Sequence, residues 1–205
     1  KPGSLPRVGI VGEILVQYHP DANNKLVRNI EAEGGEAVLP DMINFFLASI
    51  YQAKAKHDKL SAPAYTKFAL LAVDYVETYT DKVDKVLAGH PRFGRLSDIR
   101  VLAEQASHIL SNCNMTGEGW LLTAEMIELI KHGAPNIVCV QPFACLPNHV
   151  VGKGMIKEVR RRYPEANIVP IDYDPGASEV NQINRLKLMM SAAIKNEKEK
   201  HSAVK

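Results

Sequence analysis

Residues 136–154 read NIVCVQPFACLPNHVVGKG, and they pass from a strand pattern to a helix pattern within a few residues. The apolar run 137–140 is typical of a buried strand, Pro142 ends it, and helical periodicity begins at Val150. A strand that ends shortly before a helix begins is typical of a parallel α/β sheet. Cys145 lies in the connection, so this thiol could serve packing, nucleophilic attack or metal binding.

Further strand and helix patterns lie on both sides of this stretch. Strands are predicted at 7–12, 36–40, 137–141 and 167–174, and helices at 25–33, 150–162 and 178–195. Residues 17–24, QYHPDANN, read as a polar loop. The sequence therefore predicts an α/β, Rossmann-like fold with a largely parallel four-stranded sheet and flanking helices.

A long helical insertion is predicted between the second and third strands. It covers about 41–133, with breaks near 61–63 and 89–98. Ser97 and Asp98 are expected to cap a helix that ends near Leu110, and Thr123 is expected to start the next one, through Lys131. We predict a single domain over 1–198 and a charged tail over 199–205. The chain is expected to be frayed from Lys195 onward.

Composition and charge exclude several classes of protein. The formal net charge is only +2, which favours neither a nucleic-acid partner nor an anionic membrane, and no apolar run approaches a membrane span. Three cysteines do not make a secreted disulfide framework, so a cytoplasmic location is expected. The opening KPGSLP resembles a linker, which suggests a fragment of a longer multidomain protein. No zinc ribbon, zincin or P-loop motif occurs.

The residue pattern leaves two interpretations of Cys145 open. Backbone amides at the start of a helix, with Lys153 nearby, favour the thiolate that binds metal or attacks a carbonyl. A half-buried packing role is equally compatible, because free cysteines are usually buried. Cys139, inside the strand, is expected in the core, and Cys113, in SNCNMTGEG, is expected as a loop thiol.

Ligands of open parallel sheets bind beyond the carboxyl ends of the strands, and polar residues follow each predicted strand here. We expect Glu13, Asn148 and Lys153 to contact a cofactor at this edge. Asp172 and Asp174 could orient a ligand or transfer protons, or Asp174 could simply begin a turn.

Three long phrases resemble one family. Residues 8–41 (VGIVGEILVQYHPDANNKLVRNIEAEGGEAVLPD), 117–154 (GEGWLLTAEMIELIKHGAPNIVCVQPFACLPNHVVGKG) and 167–189 (NIVPIDYDPGASEVNQINRLKLM) are similar to the 2-hydroxyacyl-CoA dehydratase superfamily. The nearest branch resembles activase-related proteins, in which an ATP-dependent activase module is fused to dehydratase-like modules. The middle, about 50–112, carries little of the resemblance.

The resemblance implies a mechanism and a set of residues. Such subunits hold a low-potential iron–sulfur cluster, 4Fe-4S or double-cubane, to which an activase passes an electron in anaerobic dehydration or reduction of acyl-CoA or other small molecules. By the order of motifs, Cys145 matches a cluster ligand, and Asp172, Gln182 and Arg185 match catalytic positions. The family's other cysteines would lie on a preceding dehydratase-like domain, so this chain alone is expected to be inactive.

Two other functions compete with this interpretation. One is a non-catalytic scaffold that docks the ATP-dependent activase, with Cys145 purely structural. The other is a flavodoxin-like nucleotide-binding domain, which is disfavoured because no glycine-rich phosphate loop follows the first strand.

Overall fold

A computed structural model describes residues 5–61, 65–90 and 97–203. Part of the predicted linker, 1–4, and most of the predicted breaks near 61–63 and 89–98 lie outside these residues. Along the described chain, no helix combines the length and apolar character that crossing a membrane requires.

The sheet is parallel throughout and has four strands. They are β1 (Arg7–Gly12), β2 (Glu36–Val38), β3 (Asn136–Gln141) and β4 (Asn167–Asp172), in the spatial order β2-β1-β3-β4. Val11 of β1 pairs with Cys139 of β3, and Gln141 of β3 pairs with Asp172 of β4. The predicted α/β, Rossmann-like fold is confirmed. All six residues of β3 are buried, as expected for a central strand covered on both faces.

Helices cover both faces of the sheet. One face packs against α1 (Ile14–Tyr18), α2 (Leu26–Ala32) and α8 (Glu179–Ala203), through core residues such as Leu26, Ile30 and Leu186. The other packs against α6 (Trp120–Lys131) and α7 (Ile156–Arg162), through Leu122 and Val159.

The helical middle forms a second layer with its own core. It contains α3 (Ile43–Leu60), α4 (Thr66–Leu87) and α5 (Ile99–Ser107). Its buried residues include Leu47, Ile99 and Leu102, and they pack against Trp120 at the start of α6. Because α6 faces both this core and the sheet, the insertion proper is α3–α5, shorter than the predicted 41–133.

Three local predictions were wrong, each for a physical reason. The first two residues of the expected loop 17–24 belong to a short helix, α1, which is held by long-range contacts described below. The helix expected to start at Thr123 begins at Trp120, because Gly119 (φ 54°) supplies the turn before it. The expected frayed tail continues α8 to Ala203, where Lys195 pairs with Glu199 at 3.9 Å.

The predicted helix 150–162 begins earlier and is irregular. Helical backbone starts at residue 146, immediately after Cys145, and includes a π-helical turn (Asn148–Gly152) and a 3-10 turn (Lys153–Met155) before α7. Gly152 allows close packing here, because a Cβ on it would lie 2.7 Å from Leu122 Cδ2. π-helical turns inside helices are frequent at functional sites.

Candidate functional site

The carboxyl ends of β1, β3 and β4 meet at one edge of the sheet. The backbone N–H of Glu13, after β1, donates to Val140 O at 3.0 Å, and the N–H of Tyr173, after β4, donates to Gln141 O at 2.8 Å. Two groups of residues lie at this edge, and each contains predicted site residues together with one that was not predicted. We call them the Cys145 group (Cys145, Asn148, Glu13 and Glu118) and the Asp172 group (Asp172, Lys153, Gln141 and Gln182).

Cys145 is half-buried at this edge. Its N–H donates to Pro142 O at 3.3 Å, which closes a turn that contains Ala144 at φ 59°. A left-handed conformation is uncommon for a residue other than glycine, asparagine or aspartate, and it shapes the loop before the thiol. Cys145 O accepts from the N–H of His149 at 3.0 Å, so the loop is tied at both ends.

Asn148 is the centre of the Cys145 group. It is fully buried, and its side-chain amide, oriented to satisfy its neighbours, donates to Glu118 Oε2 and accepts from the Glu13 N–H, both at 2.9 Å. The end of the amide that faces Glu118 also lies 2.8 Å from Cys145 Sγ. One buried side chain thus joins the end of β1, the loop before α6 and the thiol.

Glu118 belongs to this group, and its role in the site was not predicted. Its Oε1 accepts from the Ile14 N–H at 3.0 Å, while Glu13 Oε2 accepts from the Val16 N–H at 2.9 Å, so two carboxylates satisfy the start of α1. Burial raises the pKa of Glu118, with a further rise from the charge of Glu13. The only sequence signal was its place between Gly117 and Gly119 in GEG.

The Asp172 group is a second polar cluster on the same edge. Asp172 Oδ1 accepts from Gln141 Nε2 at 2.8 Å, and Asp172 Oδ2 lies 3.6 Å from Lys153 Nζ. Lys153 is predicted to support the thiolate, and the structure pairs it with this carboxylate. Gln141 is fully buried, and its Oε1 has no hydrogen-bond partner among the described residues. Both side chains of the ion pair are partly exposed, so the pair is accessible to a ligand.

The two α8 residues expected at catalytic positions differ in their surroundings. Gln182 is buried, donates to Asp172 O at 2.9 Å and accepts from Asn24 Nδ2 at 2.8 Å. Arg185 is exposed, and no hydrogen bond or ion pair joins it to either group within the described ranges. Gln182 therefore supports the end of β4, whereas no described contact connects Arg185 to either group.

Asp174 lies in a turn, as the simpler interpretation predicted. The Ala177 N–H donates to Asp174 O at 3.0 Å, and the two carboxylate oxygens accept from the Phe143 N–H at 3.1 and 3.0 Å. Asp174 thereby holds the loop that carries Cys145 against the end of β4.

The other two cysteines do not join the site. Cys139 is fully buried in β3, and burial raises the pKa of its thiol to about 12, so its predicted place in the core is confirmed. Cys113 is half-buried in the loop after α5. In the described part of the chain, no group of three or more His, Cys, Asp or Glu could hold a metal ion.

Large apolar side chains border Cys145 along the chain and remain exposed. Phe143 and Leu146, on either side of Cys145 in the sequence, are each 72% exposed, and Leu15, in α1, is 60% exposed. Exposed apolar groups around a polar centre are typical of a surface that another protein or domain covers. We call these three residues the apolar rim.

A cavity of about 570 Å³ lies between the sheet and the helical insertion. It takes residues from β1, from β2 and from five helices, α2 to α6, among them Val38, Asn44, Leu87, Leu102 and Leu129. None of the seven predicted site residues lines it. Among the acidic residues that line it, burial raises the pKa of Asp41 and of Glu125, and neither was among the predicted site residues.

Glu125 lines this cavity from α6. It is 7% exposed and forms no hydrogen bond or ion pair among the described residues. Burial raises its pKa well above the ordinary value, and the nearby carboxylates Asp41 and Glu118 raise it further. Asp41, by contrast, accepts from the N–H and from the side-chain amide of Asn44.

Glu125→Gln is expected to stabilise the protein at pH 8. The folded state holds a proton that the unfolded state releases, so the contribution of Glu125 to stability is present below the unfolded pKa and is lost as pH rises through the folded pKa. Glutamine has nearly the same shape and no charge, so it removes this loss. The expected gain in the free energy of unfolding is about 1–3 kcal/mol, the usual penalty for a buried polar group without a partner. Urea unfolding at pH 5 and pH 8 should show a gain in the free energy of unfolding of the variant over the native chain, and this gain should be larger at pH 8.

Glu128→Gln on the same helix is the matched control. Glu128 accepts from Ser97 and, at 2.8 Å, from Gln105 Nε2, so this variant is expected to lose stability at pH 8. A Glu125→Gln variant that is less stable than the native chain at pH 8 would contradict the account.

Comparisons with protein-family models, with curated proteins and with solved structures found no match to the chain.

Proposed function

We propose that the chain is a Rossmann-like part of an iron–sulfur enzyme of the 2-hydroxyacyl-CoA dehydratase type. In this proposal it contributes one cysteine ligand, Cys145, and part of the substrate cavity. The observation that carries the proposal is the half-buried thiol at the carboxyl edge of the sheet, held by a buried asparagine and bordered by exposed apolar side chains.

In this proposal the chain supplies one cysteine ligand of a cluster. Cubane clusters are held mainly by cysteine thiolates, usually several per cluster. Cys145 is accessible to such a group, whereas Cys139 is enclosed in β3. The remaining ligands would come from a preceding dehydratase-like domain that covers the apolar rim.

Each polar group has a part in this proposal. When bound, the low-potential cluster supplies the electron that drives dehydration or reduction, after an ATP-dependent activase has delivered it. Asn148 fixes the loop that presents the thiol. Lys153 and Asp172 lie on the polar side of the same edge, where an ammonium and a carboxylate would orient an acyl-CoA substrate. The apolar rim would exclude water once the partner domain is in place.

Anaerobic reconstitution of the full-length natural protein with iron and sulfide tests the proposal. Cys145→Ser is expected to lower iron and sulfide per chain and the visible charge-transfer absorbance, because a ligand of the cluster is lost. Cys113→Ser removes another half-buried thiol and is expected to leave both unchanged. If the Cys145→Ser protein held as much cluster as the native protein, Cys145 would not be a ligand.

A scaffold that docks the ATP-dependent activase is the second candidate. The apolar rim favours it, since three large side chains remain exposed on the segments that follow β1 and β3. Under this alternative, Leu146→Asp would abolish activase binding, and Cys145→Ser would change neither binding nor cluster content.

A further inference from the structure

Helix α4 presents an unusual number of exposed apolar side chains. Of its 22 residues only Thr66 and Val73 are buried. Six large apolar or aromatic residues are exposed: Phe68 (76%), Leu71 (62%), Tyr75 (63%), Tyr79 (51%), Val83 (46%) and Val86 (79%). None of them belongs to the Cys145 group, the Asp172 group or the apolar rim.

These six residues share one face of the helix. At about 100° per residue, Phe68, Tyr75, Tyr79 and Val86 project within roughly 20° of one line, and the other two lie about 60° to either side. We call the six residues the α4 stripe. The stripe extends over most of the helix, so it is a continuous surface.

The stripe is symmetric about its own midpoint. Phe68 and Val86 are equally distant from Glu77, as are Leu71 and Val83, and as are Tyr75 and Tyr79. The two central tyrosines already pack edge to face, with ring centroids 5.5 Å apart and hydroxyl groups 2.9 Å apart. Such spacing is compatible with a two-fold axis. When two identical helices pack antiparallel about this midpoint, each apolar residue of one helix lies opposite an apolar residue of the other.

We propose that the α4 stripe is an interface between two copies of this chain. The two α4 helices would run antiparallel, with the two-fold axis at the level of Glu77. Phe68 of each copy would then pack against Val86 of its partner copy, and Tyr75 against Tyr79. This inference does not rest on the proposed function.

Charge and area both support a second copy as the occupant. In this register Lys82 faces Ala72 and Lys85 faces Ala69, so neither lysine meets a like charge. The exposed fractions correspond to on the order of 700 Å² per copy and ~1,400 Å² for the pair, within the range of specific stable interfaces.

Sedimentation of the 205-residue chain tests the oligomeric state. We expect a dimer at about 100 μM, and we expect Leu71→Asp to weaken dimerisation by about tenfold or more, because it places a charge within an apolar contact. Leu188→Asp, at a position on α8 that is 75% exposed, is the matched control and should leave the dimer intact. Circular dichroism verifies that each variant is folded. A monomer at this concentration, or equal weakening by both variants, would overturn the proposal.

Disulfide crosslinking tests the antiparallel register. Phe68→Cys and Val86→Cys are placed on separate chains of different size, both lacking Cys113 and Cys145, and mixed with a copper–phenanthroline oxidant that accepts the electrons of the two thiols. The proposal predicts a covalent heterodimer between the two variants. Covalent homodimers of Phe68→Cys alone would show a parallel arrangement and overturn it.

Discussion

Asn148→Asp is expected to destabilise the protein by about 2–4 kcal/mol at pH 8, among the larger effects of a single substitution. The new carboxylate would occupy the position of an amide nitrogen that lies 2.9 Å from Glu118 Oε2. Two buried carboxylates at this separation cannot both ionise without a large penalty. Chemical denaturation from pH 4.5 to pH 8 measures the effect.

The effect should depend on pH with a definite sign. Burial already raises the pKa of Glu118, and the second carboxylate raises it further, so the folded variant retains a proton that the unfolded chain releases. The stability of the variant therefore falls as pH rises through the folded pKa, and the difference from the native chain narrows in acid. Asn184→Asp adds the same charge at an exposed position of α8 and should change little. A difference that stays constant with pH would contradict the described contact.

Gly12→Ala is expected to prevent folding or to cost more than about 4 kcal/mol, because it forces backbone apart in the sheet. Gly12 has φ 155°, and a Cβ on it would lie 1.8 Å from Val140 O. The backbones of β1 and β3 approach one another closely here, and neither can move without breaking the pairing that positions Glu13. Soluble yield and far-ultraviolet circular dichroism report the outcome.

Alanine substitutions at two other glycines serve as controls, because they distinguish the steric clash at Gly12 from the general effect of replacing a glycine. Gly34 has φ 83° but nothing within 4 Å of a built Cβ, so Gly34→Ala should cost only about 1–2 kcal/mol of backbone strain. Gly176 also has open space around the position of a Cβ, and its φ lies outside the left-handed region, so Gly176→Ala should be close to neutral. A Gly12→Ala protein as stable as the Gly34→Ala protein would show that the two strands are not this close.

The sheet could be predicted from the sequence because its signal is local. The runs at 7–12 and 137–141 are β-branched and apolar, and central parallel strands are buried on both faces. The short helix α1 was missed because a distant residue helps to define its start. Ile14 donates to Glu118, which is 104 positions away in the chain. No local pattern reports such a contact.

For the site as well, the position of the residues could be predicted but their contacts could not. Topology predicted that Glu13, Asn148, Cys145 and Asp172 would lie at one edge, and the structure places them there. It could not predict which of these side chains meet, so Lys153 was assigned to the thiol, whereas the structure pairs it with Asp172.

The cavity beside Glu125 could not have been predicted in the same way. Its walls come from β1, from β2 and from five helices that are spread along the sequence, and hydrophobic periodicity does not encode the angles at which these helices pack. Glu125 itself follows Ala124 in a mostly apolar helix, where charged residues usually face solvent.

The central claim is that the Cys145 sulfur binds iron, and its reactivity is the most direct measurement. The full-length natural protein is treated anaerobically with iodoacetamide, before and after reconstitution with iron and sulfide, and mass spectrometry gives the alkylated fraction of each cysteine. The account predicts that Cys145 reacts in the iron-free protein and is protected by about tenfold or more after reconstitution, because only the free thiolate is nucleophilic, while Cys113 reacts equally in both. Equal alkylation of Cys145 in the two preparations, with a cluster present, would contradict it.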